Sequence, residues 1–473
     1  MTARSSHYDL IAIGAGPAAQ AAAIQASALG RRAAVVDRDA TLGGESTTAG
    51  AIAMQTLRAA VIELTGQATG AYRNGYRSGR TVTVDDLFWR TRAVMQRAQD
   101  GVHDRLRRSG VDLLAGSASF VDPQTLVVAG ADARRSVTAD RFVIAAGTRA
   151  ARPADIAFDD RTVLDSDGIL GLARVPRRLT VVGGGVIGLE YASIFAALGV
   201  HVTLVDGRAR VLDLVDPDVV DELLYHLQGR GVVLRLSEAV SAVERSRSGT
   251  IAAELRGGGS LLSDALVYAG GRRGATDDLG LAAAGLAADA RGRIAVGADY
   301  RTAQPHILAA GDVIGAPGRA SAAAEQGRLA ALSAFGRWRG TRLGLVPTGV
   351  FTIPEIASVG EQEQTLRDDG VPYVLGLARY RELPRGEIAG DRAGLLKLVV
   401  HTETRRLLGV HVLGTAATEL VHVGQAVIAG SLTVDYLTDA VFTAPAFAEG
   451  YRVAAIDAAE RLETFAERSP RAA

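Results

Sequence analysis

Residues 10–19 read LIAIGAGPAA, an apolar run that ends in the pattern Gly14-x-Gly16-x-x-Ala19. In a strand–turn–helix unit with this spacing, the first glycine turns tightly and the second admits a phosphate to the backbone. The third position keeps helix and sheet close together. A helical stretch follows, and the next predicted strand ends in Asp37, about 20 residues on, where an acid can bond ribose hydroxyls. We therefore predict a βαβ dinucleotide-binding unit at this end of the chain.

The same arrangement recurs in the middle of the chain. A β-branched strand runs into a second glycine turn, and the strand after it ends in Asp206. The glycines at the pattern positions of that turn are Gly183, Gly185 and Gly188, and residue 184 is also glycine. An acid at the strand end accepts a bond from a free 2′-hydroxyl and repels a 2′-phosphate, which favours NAD over NADP. Arg208 and Arg210 follow closely, and they either offset that repulsion or are solvated surface charges.

Composition narrows the class of protein. The 473 residues suggest roughly three domains, and the zero formal net charge favours neither nucleic acid nor an anionic membrane as a partner. The chain has no cysteine, which excludes disulfides, thiolate metal sites and thiol relays, and we predict no metal. Met1–His7 lack a signal-like apolar run, and no stretch approaches the ~18–20 apolar residues of a membrane span. We expect a soluble, cytoplasmic protein.

Several longer stretches, in order with both glycine turns, resemble the pyridine nucleotide–disulfide oxidoreductases. They are TAQPH (302–306), GDVIG (311–315), TGVFTIPEIASVG (348–360) and AEGYRVAAID (448–457). The resemblance covers essentially the whole chain, and within the family it is strongest to the soluble pyridine nucleotide transhydrogenases and the dihydrolipoamide dehydrogenase-like members.

The resemblance implies an α/β protein with two Rossmann-like domains and a C-terminal α+β dimerisation domain. The implied boundaries are an FAD domain at 1–165, an NAD(P) domain at 166–285, a central segment returning to the FAD domain at 286–345, and an interface domain at 346–473. It also implies a homodimer whose active site is completed by the partner's C-terminal domain. The expected cofactors are FAD and NAD(P).

Site residues follow from the resemblance by position. FAD is expected to be held by Gly14, Gly16, Ala19, Asp37, Gly43, Gly44, Gly147 and Asp312. NAD(P) is expected to be held by Gly183, Gly185, Gly188 and Asp206, with Glu190 beside the flavin. A helix from about Ser321 is expected to point its N-terminus at the flavin, where its dipole would stabilise the negative charge of the reduced ring.

The chain departs from the disulfide-reducing members of the family in one loop. Their two cysteine positions are Ser46 and Ala51 here, and neither side chain has a usable redox couple. The lysine that pairs with the family's glutamate, Glu190, is replaced by Gln55. Removing one partner of a buried ion pair typically costs ~3–5 kcal/mol. We therefore predict that Glu190 is protonated or turned toward another donor such as the Gln55 amide, and that hydride exchange with the flavin is slowed.

A second departure lies near the C-terminus. The acid–base histidine of the relatives is Ala444 here, and its orienting carboxylate is retained as Glu449. With the two cysteine positions, this leaves space on one face of the flavin for a flat organic molecule. Phe442 and Phe447 either line that space or belong to the core of the dimer interface. Glu449 is either a general base or a carboxylate that complements a helix N-terminus.

These residues lead to one preferred function and two alternatives. We predict an FAD-dependent oxidoreductase that transfers hydride directly between flavin and a small organic, non-disulfide substrate, by carbon–carbon dehydrogenation or quinone-type reduction. NAD(P)(H) or oxygen would close the cycle. The predicted catalytic residues are Glu449, Ser46, Gln55 and Glu190, and the predicted pocket residues are Ala51, Phe442, Ala444 and Phe447. The alternatives are a soluble transhydrogenase and a non-catalytic flavin-binding dimer.

Overall fold

The computed structural model describes residues 7–38, 43–44, 50–65, 83–131, 133–340 and 343–468. These residues form two compact units. The first draws on Met1–Leu57, Phe88–Ala151 and Gly271–Gly344, and the second on Arg58–Leu87, Arg152–Gly270 and Leu345–Ala473.

The strands follow one another along the chain as β1 His7–Ile13, β2 Ala33–Asp37, β3 Asp112–Ala115, β4 Ser117–Asp122, β5 Thr125–Ala129, β6 Arg134–Ile144, β7 Thr148–Ala150, β8 Val163–Asp165, β9 Arg178–Val182, β10 His201–Asp206, β11 Val233–Leu236, β12 Val240–Arg245, β13 Ile251–Leu255, β14 Ser260–Ser263, β15 Ala265–Tyr268, β16 Arg272–Gly274, β17 Ile307–Ala309, β18 Thr348–Val350, β19 Ile356–Gly360, β20 Tyr373–Arg379, β21 Leu395–His401 and β22 Leu407–Leu413.

The α-helices are α1 Pro17–Ala28, α2 Ala51–Thr65, α3 Val84–Arg108, α4 Val186–Ala197, α5 Pro217–Gly229, α6 Ala320–Ala334, α7 Glu363–Asp368, α8 Pro384–Ala389, α9 Ala417–Ala429, α10 Val434–Asp439 and α11 Glu449–Arg468.

The first unit is built on a sheet of order β3-β2-β1-β6-β5-β4, with β17 also pairing with β6. Strands β1, β2, β3, β6 and β17 are mutually parallel neighbours, so their carboxyl ends share one edge of the sheet. Ile13 ends β1 opposite Val36 on one side and Ile144 on the other. The first glycine turn, Gly14–Ala19, therefore leaves the sheet at the edge where parallel α/β folds bind ligands.

Small residues let α1 and α6 lie close together over this sheet. Ala19 and Ala22 are fully buried on α1. A Cβ added at Gly327 of α6 would lie 2.0 Å from the backbone oxygen of Ala18, so a side chain there is excluded. This close approach places the N-termini of both helices at the carboxyl edge of the sheet.

The second unit repeats the parallel arrangement and adds antiparallel sheets. Its parallel sheet has the order β11-β10-β9-β15-β8. Strands β12–β14 form a small antiparallel sheet, and β18-β19-β22-β21-β20 form a larger one. Helix α11 packs on this last sheet, where a Cβ at Gly376 would meet the backbone oxygen of Ala454 at 2.0 Å.

The observed helices begin earlier than the sequence pattern predicts. The pattern predicts helices over Gln20–Leu29 and Glu190–Leu198, whereas α1 begins at Pro17 and α4 at Val186. The reason is that Gly16 and Gly185 act as the N-cap residues themselves, so that each helix starts inside its glycine turn. Among the described residues, no helix is both long and apolar enough to cross a membrane.

Candidate active site

The first glycine turn has the shape that a dinucleotide pyrophosphate requires. Gly14 has a φ of +108°, and a Cβ on it would lie 2.4 Å from the Ala145 oxygen, so only glycine fits. A Cβ on Gly44 would lie 2.8 Å from the Gly16 Cα, which brings two backbones into contact. By contrast, no described atom lies within 4 Å of a Cβ built on Gly16, so open space faces its backbone.

The N-terminus of helix α1 lies at this same open position beside Gly16. Gly16 is the N-cap of α1, and no described side chain caps that end. The first backbone N–H groups of the helix are therefore available to an anion, with the partial positive charge of the helix dipole behind them. Ala19 is fully buried beneath the turn, as close helix–sheet packing requires. These residues fit the pyrophosphate of FAD.

Asp312 lies in the short 3-10 turn Asp312–Ile314 that follows β17. Burial raises the pKa of its carboxyl, and the charge of Arg272 opposes that shift. Its carboxylate accepts no hydrogen bond from any residue the structure describes, so it is suited to a ligand hydroxyl. Gln326, buried on α6, fixes the turn by accepting a hydrogen bond from the Gly311 N–H at 2.8 Å.

The second glycine turn repeats these features. A Cβ on Gly188 would meet the Gly183 oxygen at 1.8 Å, whereas a Cβ on Gly185 would find no described atom within 4 Å. Gly185 is the N-cap of α4, again without a cap from a described side chain. The turn is therefore tight where helix and strand meet and open where a pyrophosphate would lie.

Asp206 ends β10 beside this turn, and its carboxylate is fully occupied. One oxygen accepts from the Gly184 N–H at 2.5 Å and from an amino group of Arg208 at 2.9 Å. The other accepts from the Arg208 backbone N–H at 2.8 Å and the Arg208 Nε at 3.0 Å. Although burial opposes it, these bonds hold the pKa of the Asp206 carboxyl below its usual value. The expected preference for NAD treats this acid as open, whereas the structure shows it paired.

Glu190 lies on α4, almost wholly buried. Its Oε1 accepts a hydrogen bond from the Phe351 N–H at 2.8 Å. Burial raises the pKa of Glu190, that hydrogen bond and the charge of Arg58 lower it, and the net pKa is about 7. Arg58 donates from Nε to the Thr352 oxygen at 2.9 Å and lies 3.3 Å from Glu355. Sequence reasoning missed both the Phe351 donor and Arg58.

The residues predicted near the C-terminus as catalytic or pocket residues contact neighbouring residues of the second unit. Glu449 is in the first turn of α11, and its Oε2 accepts from the Ala446 N–H at 3.2 Å. Phe447 is buried and stacks on Tyr380 with ring centroids 4.5 Å apart. Phe442 stacks on Tyr451 at 6.5 Å. These contacts place both phenylalanines against the core of the second unit.

The remaining predicted residues lie in several places. Ser46 lies outside the described residues. Ala51 and Gln55 are on α2, and Ala444 is exposed ahead of α11. Ala51 and Gln55 belong to the first unit and Ala444 to the second.

Three further residues predicted to hold FAD lie in the first unit. Asp37 ends β2, where its backbone oxygen accepts from the Gly116 N–H at 2.8 Å. Gly43 and Gly147 have positive φ angles of 117° and 67°, which glycine adopts readily.

Both units match one family of known proteins. The model of the pyridine nucleotide-disulphide oxidoreductases matches residues 8–327. This chain belongs to that family. Its dimerisation-domain model matches residues 346–455, which indicates a homodimer. The chain is therefore an FAD-dependent oxidoreductase with an FAD domain, an NAD(P) domain and a C-terminal dimerisation domain.

Named relatives match over nearly their whole length. A soluble pyridine nucleotide transhydrogenase of Mycobacterium tuberculosis is 47% identical over 459 residues, covering 96% of this chain and 98% of the relative. A protein of the same name from Pseudomonas aeruginosa is 41% identical over 462 residues, covering 96% and 99%.

Solved structures of the family share the fold. LpdA from Mycobacterium tuberculosis has a TM-score of 0.86 at 25% identity, covering 94% of this chain and 99% of that one. The flavoprotein disulfide reductase RclA from Escherichia coli has a TM-score of 0.85 at 25% identity, covering 95% and 99%.

The predicted transfer of hydride to a small organic substrate is wrong. The relatives at 47% and 41% identity are named as transhydrogenases, and nothing supports carbon–carbon dehydrogenation or quinone-type reduction. The physical reason is that missing thiols and a missing histidine do not by themselves define a new substrate. Hydride exchange between a flavin and a nicotinamide needs neither group, so Ala51 and Ala444 are equally compatible with it. The pocket roles of Ala51, Phe442, Ala444 and Phe447 lose their basis with that prediction.

Proposed function

We propose that this protein is a soluble pyridine nucleotide transhydrogenase, which exchanges hydride between NADPH and NAD⁺ in either direction. The observation that carries the proposal is the 47% identity to a protein of that name over 96% of this chain and 98% of the relative. When bound, FAD would supply the chemistry by taking hydride from one nicotinamide and passing it to another.

The two glycine turns support this function because the reaction requires two dinucleotide sites. Gly14 and Gly16 would seat the FAD pyrophosphate on the N-terminus of α1, and Asp312 would bond the hydroxyls of its sugar-alcohol chain. Gly185 would seat the pyrophosphate of the exchanging nucleotide on the N-terminus of α4.

The acid–base demand of the reaction also agrees with the residues present. A hydride passed from one nicotinamide to another leaves no proton for an acid or base to move. Loss of the histidine at Ala444 therefore removes nothing that the exchange needs, and Glu449 is free to complement its own helix.

The Gln55 substitution argues against this function only if Glu190 has lost every compensating charge. The structure gives Glu190 the Phe351 N–H as a donor and leaves Arg58 close enough to lower its pKa. We propose that Arg58 supplies the positive charge that the family draws from the lysine at position 55.

Finer features of the organisation belong to the same proposal. We propose the four segments 1–165, 166–285, 286–345 and 346–473 as domains, and a homodimer in which the partner's C-terminal domain completes the active site. The small-molecule partners are then the two nicotinamide nucleotides, and the expected location is the cytoplasm.

Hydride exchange is measured directly with FAD-loaded protein, NADPH and a thio-analogue of NAD⁺ under anaerobic conditions. We expect sustained reduction of the analogue over many turnovers and bleaching of the yellow flavin by either reduced nucleotide. Gly185→Ala should slow the exchange at least about tenfold at nucleotide concentrations below the wild-type Kd, whereas Gly257→Ala, at an exposed glycine with no described atom near the added Cβ, should not alter it. Flavin that neither NADH nor NADPH bleaches would overturn the proposal in favour of a non-catalytic flavin-binding dimer.

A further inference from the structure

The Asp206 carboxylate accepts two hydrogen bonds from backbone N–H groups, which are fixed, and two from the Arg208 guanidinium, which can move. The carboxylate is 8% exposed and receives two backbone N–H groups, from Gly184 and from Arg208 itself. Those two bonds hold it in place whatever the Arg208 side chain does. The guanidinium supplies the other two bonds and is 49% exposed, so it can leave without disturbing the strand end.

A carboxylate has about four acceptor positions, and all four at Asp206 are filled. A ribose 2′-hydroxyl can therefore bond Asp206 only after the guanidinium has moved away. While the guanidinium stays, it neutralises the acid and presents a cation at the same place. Its remaining amino group bonds Asp213 at 3.1 Å, and that carboxylate is 66% exposed and well solvated.

A second cation lies two residues further on. Arg210 is exposed, and no ion pair to it forms within the described part of the chain. Arginine bonds phosphate oxygens in a bidentate manner, which suits a terminal phosphate on a ribose. With the guanidinium of Arg208 in its observed position, this end of the turn is suited to a 2′-phosphate.

The need for two states follows from the count of nucleotide sites, and it rests on the proposed function. The chain carries two dinucleotide turns, and the first is taken by FAD. A transhydrogenase must therefore admit both NAD(H) and NADP(H) at the second turn, although the two differ in charge at the 2′ position.

We propose that Arg208 is a two-position specificity residue. Paired with Asp206, it receives the 2′-phosphate of NADP(H) with help from Arg210. Swung away, it uncovers Asp206 for the ribose 2′-hydroxyl of NAD(H). One site thereby accepts both nucleotides through a side-chain movement.

Binding of the oxidised nucleotides tests this without turnover. Isothermal titration of the FAD-loaded protein with NADP⁺ and with NAD⁺ gives a Kd for each. Arg208→Gln should weaken NADP⁺ binding by at least about tenfold, since it removes a charge-assisted bond. Its Kd for NAD⁺ should be lower than that of the wild type or no more than about twofold higher. Asp206→Asn should have the opposite selectivity. Arg245→Gln removes an exposed arginine that pairs with Asp159 in the same unit, and it should change neither Kd.

The outcomes separate the inference from the proposed function. An Arg208→Gln variant that weakens both nucleotides by the same factor, or neither, overturns the inference. If Asp206→Asn lowers the melting temperature because Gly184 loses its acceptor, Arg208→Gln alone decides. If Arg208→Gln loses NADP⁺ binding selectively but the wild type does not exchange hydride, the inference stands and the transhydrogenase function is wrong. If the wild type exchanges hydride but Arg208→Gln affects NADP⁺ and NAD⁺ binding equally, the transhydrogenase function stands and the inference is wrong.

Discussion

In the proposed function, Arg58 of α2 supplies the positive charge near Glu190 in place of a lysine at position 55. Gln55 and Arg58 are three residues apart on α2, a spacing that places side chains on neighbouring positions of one helical face. Burial raises the pKa of Glu190, the Phe351 N–H and the charge of Arg58 counter that effect in part, and the resulting pKa is about 7. Glu190 is therefore poised to change charge close to neutral pH.

The free energy of unfolding should fall as pH rises from about 4.5 to about 7, because the Glu190 carboxyl ionises first in the unfolded chain. The folded-state pKa of about 7 lies above the ordinary value of 4.5, so the folded protein keeps a proton that the unfolded chain loses. Between these two pH values the free energy of unfolding therefore decreases as pH rises, by up to about 3 kcal/mol. Glu190→Gln cannot ionise and should lack this decline. Urea unfolding of both proteins from pH 4.5 to 8 measures the difference.

A suitable control is Glu460→Gln, which changes an exposed glutamate on α11. It should show the same pH dependence as the wild type. Parallel pH profiles for Glu190→Gln and the wild type would show that Glu190 does not titrate in this range.

At the scale of elements, different glycines of each turn serve helix packing and the proposed phosphate binding. In the second turn, Gly188 packs against the backbone of Gly183, whereas a Cβ on Gly185 would find no described atom within 4 Å. Gly185 has a φ of −79°, which any residue adopts, so an alanine there meets no backbone strain. The two positions therefore form a matched pair for substitution.

Alanine at these two positions should have opposite effects. Gly188→Ala should lower the free energy of unfolding by about 1–3 kcal/mol, because its Cβ would lie 1.8 Å from the Gly183 oxygen and the turn must shift. Gly185→Ala should leave stability nearly unchanged and weaken NADP⁺ binding at least about tenfold, since its Cβ fills the phosphate space. Thermal unfolding and isothermal titration measure the two quantities. A Gly185→Ala variant that binds normally would show that no phosphate lies against this turn.

Much of the parallel framework is predictable from local pattern. Each βαβ unit is marked by an apolar strand that runs into a glycine turn and by a second strand that ends in Asp37 or Asp206. The sequence pattern also predicts antiparallel strands over Leu395–His401 and Leu407–Leu413, and these coincide with β21 and β22. The short strands of the antiparallel hairpins are harder to predict from the sequence. In β14, for example, only Ser263 is buried, so no apolar alternation marks the strand.

The site is predictable only where a backbone requirement selects the residue. Glycine at positions 14 and 188 is dictated by contact with neighbouring backbone, and sequence reveals it. Side-chain pairings are a different matter, because the guanidinium of Arg208 can lie on Asp206 or in solvent with the same sequence. The function was mispredicted for a related reason, since absent side chains restrict the chemistry without naming the substrate.

At the scale of the whole molecule, a buried charge cluster joins distant parts of the second unit. Lys397 on β21 donates from Nζ to Asp216 and Asp218 at 2.8 Å each, and it also bonds Glu363. Asp216 caps α5, which connects strands β10 and β11 of the parallel sheet, whereas Glu363 begins α7. Lys397 and Asp216 are almost wholly buried, so their charges depend on each other.

Removing the amine should destabilise the fold strongly. Lys397→Met keeps the length of the side chain but leaves buried carboxylates facing one another, at an expected cost of about 3–5 kcal/mol. Adding Asp216→Asn and Glu363→Gln should restore part of that loss. Arg392→Met, which breaks an exposed ion pair with Glu387, should cost less than about 1 kcal/mol. Urea unfolding compares the three variants, and equal losses for Lys397→Met and Arg392→Met would contradict the buried-cluster account.

Lys397 is also the chain's one lysine, and it is 1% exposed. An acylating reagent therefore finds no side-chain amine on the folded protein, and every acylated lysine marks a molecule in which this contact has opened. When the reagent acts faster than the contact re-forms, the mass increase at this single known position gives the rate of opening.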